Sequence, residues 1–256
     1  MQERFSFSDR ISSVDFKFEI NKGQLIYSAL LGKKHEKYFS AAIKNYSKDY
    51  ASAYMLFEDP RMVFLDDNYK TSISQASENL KDMFAAFEKT TEFKELLTKT
   101  EEYKIWLEKE WEQKKEEIQK HLQEILKVEL PNTTSTVFVI ERSIGGGSYL
   151  GNNIIYWGHT EDWSNYSLVY LCHEYLHTFL SNGDLEHAVI ELATDNELRI
   201  RLNGKGEYFK ADGEKVGHQH LLDLEKNIYR RWLAYLDNPE KNIFRFIEEI
   251  KTDSPF

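Results

Sequence analysis

The chain of 256 residues is long enough to bury one sizeable core or two modest ones. Hydrophobic residues make up 41% of it and only four prolines occur, which is typical of a folded globular protein and not of a disordered or repetitive one. The formal net charge of −10 argues against nucleic acid as the main partner, because phosphate binding needs clustered Lys and Arg. No apolar run approaches the roughly 18 residues that a membrane-spanning helix requires.

The cellular location is indicated only by indirect features. Cys172 is the single cysteine, so no internal disulfide can form, and this favours a reducing cytoplasm. The first residues, MQERFSFSDRISS, lack the apolar segment of a signal peptide. We therefore expect a cytoplasmic protein, while export after removal of a signal stays open.

The N-terminal region, residues 1–100, is expected to be mostly helical. It begins with SVDFKFEI, residues 13–20, whose alternation of apolar and polar side chains predicts a half-buried strand. Helical periodicity follows over 24–57 and again over 72–89. Between them, residues 60–68 are compatible with either a short strand or a loop.

The second region, residues 101–256, alternates long helices with two short strands. A helix is predicted from Glu101 to Leu130, with its charge run read as a solvated face, and strands are predicted over 136–141 and 154–157. Between the strands lies GGGSYLGNN, which is either a flexible hairpin turn or a rim where glycine permits close approach of a substrate. Four further helices are predicted over 164–180, 184–202 (with Asp184 as N-cap), 219–236 and 239–250. The sequence thus predicts an α+β fold, predominantly helical, with a small mixed sheet.

The strongest functional signal is His173-Glu174-x-x-His177, inside the stretch LVYLCHEYLHTFLSN. Histidines four apart share one face of a helix and can reach a common ion, while Glu174 projects about 100° away and suits a base acting on metal-bound water. The alternative is coincidence, since the chain has 8 histidines and 43 acidic residues. The neighbouring residues oppose coincidence because they are uncharged, and burying two histidines and a glutamate without a partner is costly. Among them, Cys172 is interpreted as a small buried residue and not as a nucleophile.

The downstream helix offers a third metal ligand. It contains Glu191 and, one turn later, Asp195 in ELATDNE. HExxH followed by ExxxD resembles the gluzincin metallopeptidases, the thermolysin-like zincins, over about residues 136–202. The resemblance implies a zincin-like catalytic domain over 101–256 that binds one Zn²⁺ per chain. It also implies Glu191 as the third ligand and Asp195 as the hydrogen-bond partner of His173. His187 shares the face of Glu191 and could replace it, although a structural role for His187 is favoured.

The same resemblance implies a hydrolase, specifically a zinc metalloprotease acting on peptides or proteins. Glu174 would be the catalytic base that activates a zinc-bound water. Tyr208, His218 and His220 are candidate oxyanion donors, and the segment 152–157 would pair with extended substrate. Two alternatives stay open: a catalytically inactive zincin-like binding module, or an interaction protein whose motif is coincidental.

Overall fold

The computed structural model describes residues 14–31, 84–181 and 183–253, and these form an α+β fold with a small mixed sheet. The four strands are β1 (Asp15–Glu19), β2 (Thr134–Val139), β3 (Gly146–Gly151) and β4 (Ile154–Gly158), and their order in the sheet is β1-β2-β4-β3. Strand β2 is parallel to both β1 and β4, whereas β3 runs antiparallel to β4. The predicted fold class is confirmed at this level.

Strand β1 confirms the alternating pattern at the start of the chain. Val14, Phe16 and Phe18 are buried, while Asp15 and Lys17 are exposed. Because successive side chains of a strand point to opposite faces, one face of β1 packs into the core and the other meets solvent. The following helix, α1 (Lys22–Leu31), confirms the beginning of the helix predicted over 24–57. Its remainder lies outside the described residues, as do the segment at 60–68 and residues 72–83.

Helix α2 (Thr91–Leu126) is the longest element in the described part of the chain and packs against β1 and β2 of the sheet. It starts ten residues earlier and ends four residues earlier than the sequence indicated. Thr90 caps its first turn, with the side chain accepting a hydrogen bond from the Phe93 amide at 3.1 Å. At its other end Lys127 adopts a left-handed conformation with φ 54°. The Lys127 Nζ then donates to three carbonyl groups of the C-terminal region, those of Tyr235, Leu236 and Asn238.

Trp111 fixes α2 to the sheet, and we expect Trp111→Ala to lower the free energy of unfolding by about 3 to 5 kcal/mol. Its ring is buried against Phe16 with centroids 4.6 Å apart, and its indole Nε1 donates to Asp15 Oδ1 at 3.1 Å. Chemical denaturation measures the loss. Ile105→Ala on the same helix is the control, because Ile105 is 65% exposed and its change should stay within about 0.5 kcal/mol. Equal losses would contradict a core role for Trp111.

The segment GGGSYLGNN contains strand β3 and the hairpin turn that connects β3 to β4. Only Asn152 and Asn153 form the turn, and both have positive φ (51° and 58°), as a two-residue hairpin turn requires. Gly147 is needed inside β3 because a Cβ there would lie 2.1 Å from Trp157 Cε3 on β4. Strand β4 is paired on both sides, with β2 and β3. The prediction that 152–157 pairs with substrate is therefore wrong, because its backbone groups are already used within the sheet.

The C-terminal half supplies the helices that carry the histidines. Its elements are α3 (Tyr166–Leu176), α4 (Asp184–Glu191), a π-helical segment (Leu192–Leu198), α5 (Arg199–Asn203), the short strands β5 (Lys210–Ala211) and β6 (Glu214–Lys215), α6 (Leu222–Leu236) and α7 (Ile243–Asp253). The helix predicted over 184–202 is thus interrupted by a π-helical turn, a feature often found at functional sites. Gly183, and not Asp184, is the N-cap of α4. Within the described ranges, no helix combines the length and the apolar character needed to cross a membrane.

Candidate metal centre

His173 and His177 lie at the C-terminal end of α3, facing the same side. His173 is 1% exposed. His177 is the C-cap residue of the helix, and its backbone keeps the right-handed helical conformation. Their ring centroids are 5.2 Å apart. Leu171 and Cys172 beside them are fully buried, and burial raises the pKa of the Cys172 thiol, which keeps it protonated and unsuited to nucleophilic chemistry. The expectation of a buried, uncharged helix around the motif is confirmed.

His187 on α4 meets both motif histidines. The His187 ring lies 5.1 Å from that of His173 and 4.8 Å from that of His177, and the two Nε2 atoms of His173 and His187 are 3.1 Å apart. Each of the three residues offers one ring nitrogen as a possible metal ligand, and these three nitrogens all lie within 4.8 Å of one another. In a tetrahedral zinc site with Zn–N bonds of about 2.0–2.1 Å, ligand nitrogens are about 3.4 Å apart. The residues present therefore fit a zinc ion with modest adjustment.

The protonation state of His187 suits a ligand. Burial, together with the nearby His173 and His177, lowers the pKa of His187 to about 3. The ring is then neutral near pH 7, which is the form that binds metal ions.

Asp195 holds His173 from behind, which is the contact that the resemblance implies. Its Oδ1 is 3.0 Å from His173 Nδ1 and also accepts from Thr194 Oγ1 at 3.0 Å, and both His173 and Asp195 are almost fully buried. Burial by itself lowers the pKa of His173, but the Asp195 carboxylate outweighs that effect and raises it to about 9, so a metal ion that binds His173 near pH 7 has to displace a proton. A hydrogen bond at Nδ1 fixes the ring so that Nε2 points towards the other histidines.

We expect Asp195→Asn to weaken zinc affinity by about 10- to 100-fold, because the substitution removes the negative charge that orients His173 and increases its basicity. Competition with a chromophoric zinc chelator measures the change. Asp223→Asn, an equal charge change at an exposed position on α6, should leave affinity unaltered. Unchanged affinity in the Asp195 variant would show that this contact does not support metal binding.

Glu174 is held beside the histidines by the edge of the sheet. Its Oε2 accepts a hydrogen bond from the Tyr149 amide of β3 at 2.7 Å. Burial raises the pKa of Glu174. A carboxyl group whose pKa moves towards neutrality is better able both to accept and to return a proton.

Glu191 is fully buried next to the three histidines and belongs to a second group of potential ligands. Its Oε1 lies 3.6 Å from His187 Nε2 and 2.5 Å from His218 Nδ1, and it accepts from the His218 amide at 2.9 Å. His187, Glu191 and His218 form that second group, so His187 is common to both. The assignment of Glu191 as third ligand stays a prediction, but the nearest completion of the motif pair is His187.

Glu225 on α6 is a buried carboxyl group that the sequence analysis missed. It lies against Glu191, and burial together with that neighbour raises the pKa of Glu225, which favours its protonated form. Asn196 Nδ2 also contacts its Oε2 at 3.4 Å. A signal was present in the sequence, because Glu225 occupies the helical stripe formed by buried Leu221, Leu222, Ile228 and Trp232. An acid at such a position needs a polar partner.

The three candidate oxyanion donors are placed differently. His218 joins the cluster, with its ring 4.7 Å from that of His187, and His220 lies beyond it at 5.7 Å from His218. Tyr208 points elsewhere, because its hydroxyl donates to Glu197 and accepts from Trp232 Nε1. Gly217 lets this loop approach, since its φ is 77° and a Cβ there would lie 2.3 Å from Glu191 Oε2.

Comparison with known proteins identifies no relative. No protein-family model matches the chain, and no curated protein or solved structure shows significant similarity to it.

Proposed function

We propose that the protein is a zinc-dependent metallopeptidase in which His173, His177 and His187 hold the ion. The observation that supports this most is the convergence of three imidazoles, those of buried His173 and of half-buried His177 and His187. Asp195 supports one of them from behind, and the Glu174 carboxylate lies alongside without being needed as a ligand. Three protein ligands with a neighbouring carboxylate are the composition of a catalytic zinc site, whereas a structural site is filled by four protein ligands.

The chemistry then divides between the ion and the chain. Zinc, when bound, polarises a substrate carbonyl and lowers the pKa of water. Glu174 accepts the proton released as water attacks and delivers it to the departing amine. The Tyr149 amide holds the Glu174 carboxylate in position for both transfers. His218, half-exposed beside the histidines, is the best placed of the candidate donors to face a developing oxyanion.

Strand β3 is the surface that we propose for the substrate backbone. In the described part of the sheet β3 pairs with β4 alone, and its Tyr149 amide faces Glu174. An extended peptide could add to this edge by main-chain hydrogen bonds to groups other than the Tyr149 amide, which Glu174 already binds, and such strand addition is a common mode of peptide recognition. The sequence predicted strand β4 as the substrate-binding surface, and we propose the neighbouring strand β3 in its place.

The experiment is a peptide-library digest by protein purified without chelator, with zinc content measured on the same sample. We expect about one zinc per chain, cleavage of peptide bonds, loss of cleavage on chelation and recovery when zinc is restored. Zinc binding without cleavage of any library member would favour the inactive binding module. Protein that neither contains nor takes up zinc would leave the motif as a coincidence.

A further inference from the structure

A cavity separate from the histidine cluster lies against Arg199, the first residue of helix α5. It has a volume of about 320 Å³ and is lined by helix α5, by the loop that leads from α5 into strand β5, and by Trp163 and Ser164 just before α3. Arg199 forms its inner wall and is 3% exposed. The guanidinium Nε donates to the Asp195 carbonyl at 2.6 Å, and Nη2 donates to the Glu207 carbonyl at 2.7 Å. The side chain is therefore fixed in place and does not move freely at the surface.

The third guanidinium nitrogen of Arg199, Nη1, lies next to Gly206, which has no side chain to cover it. Nη1 of Arg199 makes no hydrogen bond within the described residues. A Cβ at Gly206 would lie 3.1 Å from Nη1, so a side chain at that position would cover it. Burial lowers the pKa of Arg199, which is the cost of holding its charge away from water, and the carboxylates of Asp195, Asp212 and Glu207 offset only part of that cost. An anion at Nη1 would offset that cost.

Further donors line the same cavity. Lys205 and Lys210 stand at its rim, and neither side chain makes an ion pair with another described residue. Ser164 contributes a hydroxyl, and Asn203 has an amide nitrogen available because its Oδ1 already accepts from Asn165.

The balance of charge in this cavity is opposite in sign to that of the whole chain. Three cationic side chains line it against two carboxylates, those of Glu207 and Asp212, whereas the chain carries −10. A positively charged concave surface in an acidic protein attracts anions selectively.

We infer that this cavity binds a small oxyanion, a carboxylate or a phosphate group, with Arg199 Nη1 as its central donor and Lys205 and Lys210 as flanking charges. This inference does not rest on the proposed peptidase activity. The planar guanidinium recognises both kinds of oxyanion, so the two sources have to be separated by experiment.

The test is a titration of ¹⁵N-labelled full-length protein, followed by NMR, with three probes: inorganic phosphate, N-acetylglycine and the neutral N-acetylglycinamide. We expect saturable shifts at the Gly206 and Glu207 amides and at Arg199 Nε with phosphate, with N-acetylglycine, or with both, and the responding probe identifies the source. Shifts from neither anion, or equal shifts from the neutral amide, would overturn the inference.

Variants of exposed lysines locate the binding without disturbing the core. Lys210→Ala should weaken anion affinity about tenfold, as expected for loss of one charge-assisted hydrogen bond. Lys215→Ala is the matched control, because Lys215 lies opposite Lys210 in the hairpin, is equally exposed and does not line the cavity. Retained affinity in the control supports a defined site. Equal weakening by both variants would mean diffuse attraction and would overturn it.

Discussion

Glu174→Gln is expected to keep zinc and to lose hydrolysis by about 10² to 10⁴ in rate, the range of general acid–base contributions. Glutamine preserves the shape of the side chain and can still accept the hydrogen bond from the Tyr149 amide, but it cannot take up a proton. The measurement is cleavage of the best library peptide by the two forms at matched zinc content.

The control for this variant is Glu197→Gln, a glutamate on the π-helical segment whose carboxylate contacts Arg201 and Tyr208 and not the motif histidines. Its hydrolysis should stay close to that of the parent. Equal rates for the Glu174 variant and the parent would exclude Glu174 as the base.

His187→Ala is expected to reduce zinc affinity by more than 100-fold, because residues that only hydrogen-bond to a ligand typically contribute about 10- to 100-fold. Glu191→Gln should lie within or below that range. The reason is geometric, since the donor atoms of His187 converge with those of both motif histidines, whereas Glu191 is engaged by His218. Equilibrium competition for zinc by the two variants measures the order.

The resemblance to gluzincins predicts the opposite order, so the same pair of variants decides between the two assignments. Circular dichroism on both checks that the helices remain folded. If Glu191→Gln loses the metal and His187→Ala keeps it, Glu191 is the third ligand, and His187 takes the structural role that the sequence favoured for it.

Local pattern was enough to predict most elements of the described fold. Alternation identified β1, and the apolar stripe of α2 identified the helix over the sheet, because burial on one face imposes those periods directly. The pairing of strands was not visible in the same way. Strand β4 is not at the edge of the sheet because β3 pairs with its outer side, and local sequence pattern does not show such pairing. The glycines of β3 that allow this pairing look, in the sequence, like the glycines of a loop.

In the candidate site, too, some features follow from local sequence spacing and others depend on how the helices pack. The spacing of His173 and His177 within one helix predicts their convergence, and Asp195 lies where the resemblance implies. His187 and Glu191 are also four apart on one helix, so sequence spacing cannot decide which faces the pair. The packing of α4 against α3 sets that choice. Glu225 comes from a distant helix, and only the fold brings it to Glu191.

The most direct test of the metal centre is anomalous diffraction at the zinc edge from crystals of the zinc-loaded protein. We predict one peak bonded to nitrogens of His173, His177 and His187 at about 2.0–2.1 Å, with Glu174 near it but not bound. A peak held elsewhere, such as at His218 and His220 alone, or the absence of any peak, would contradict the account.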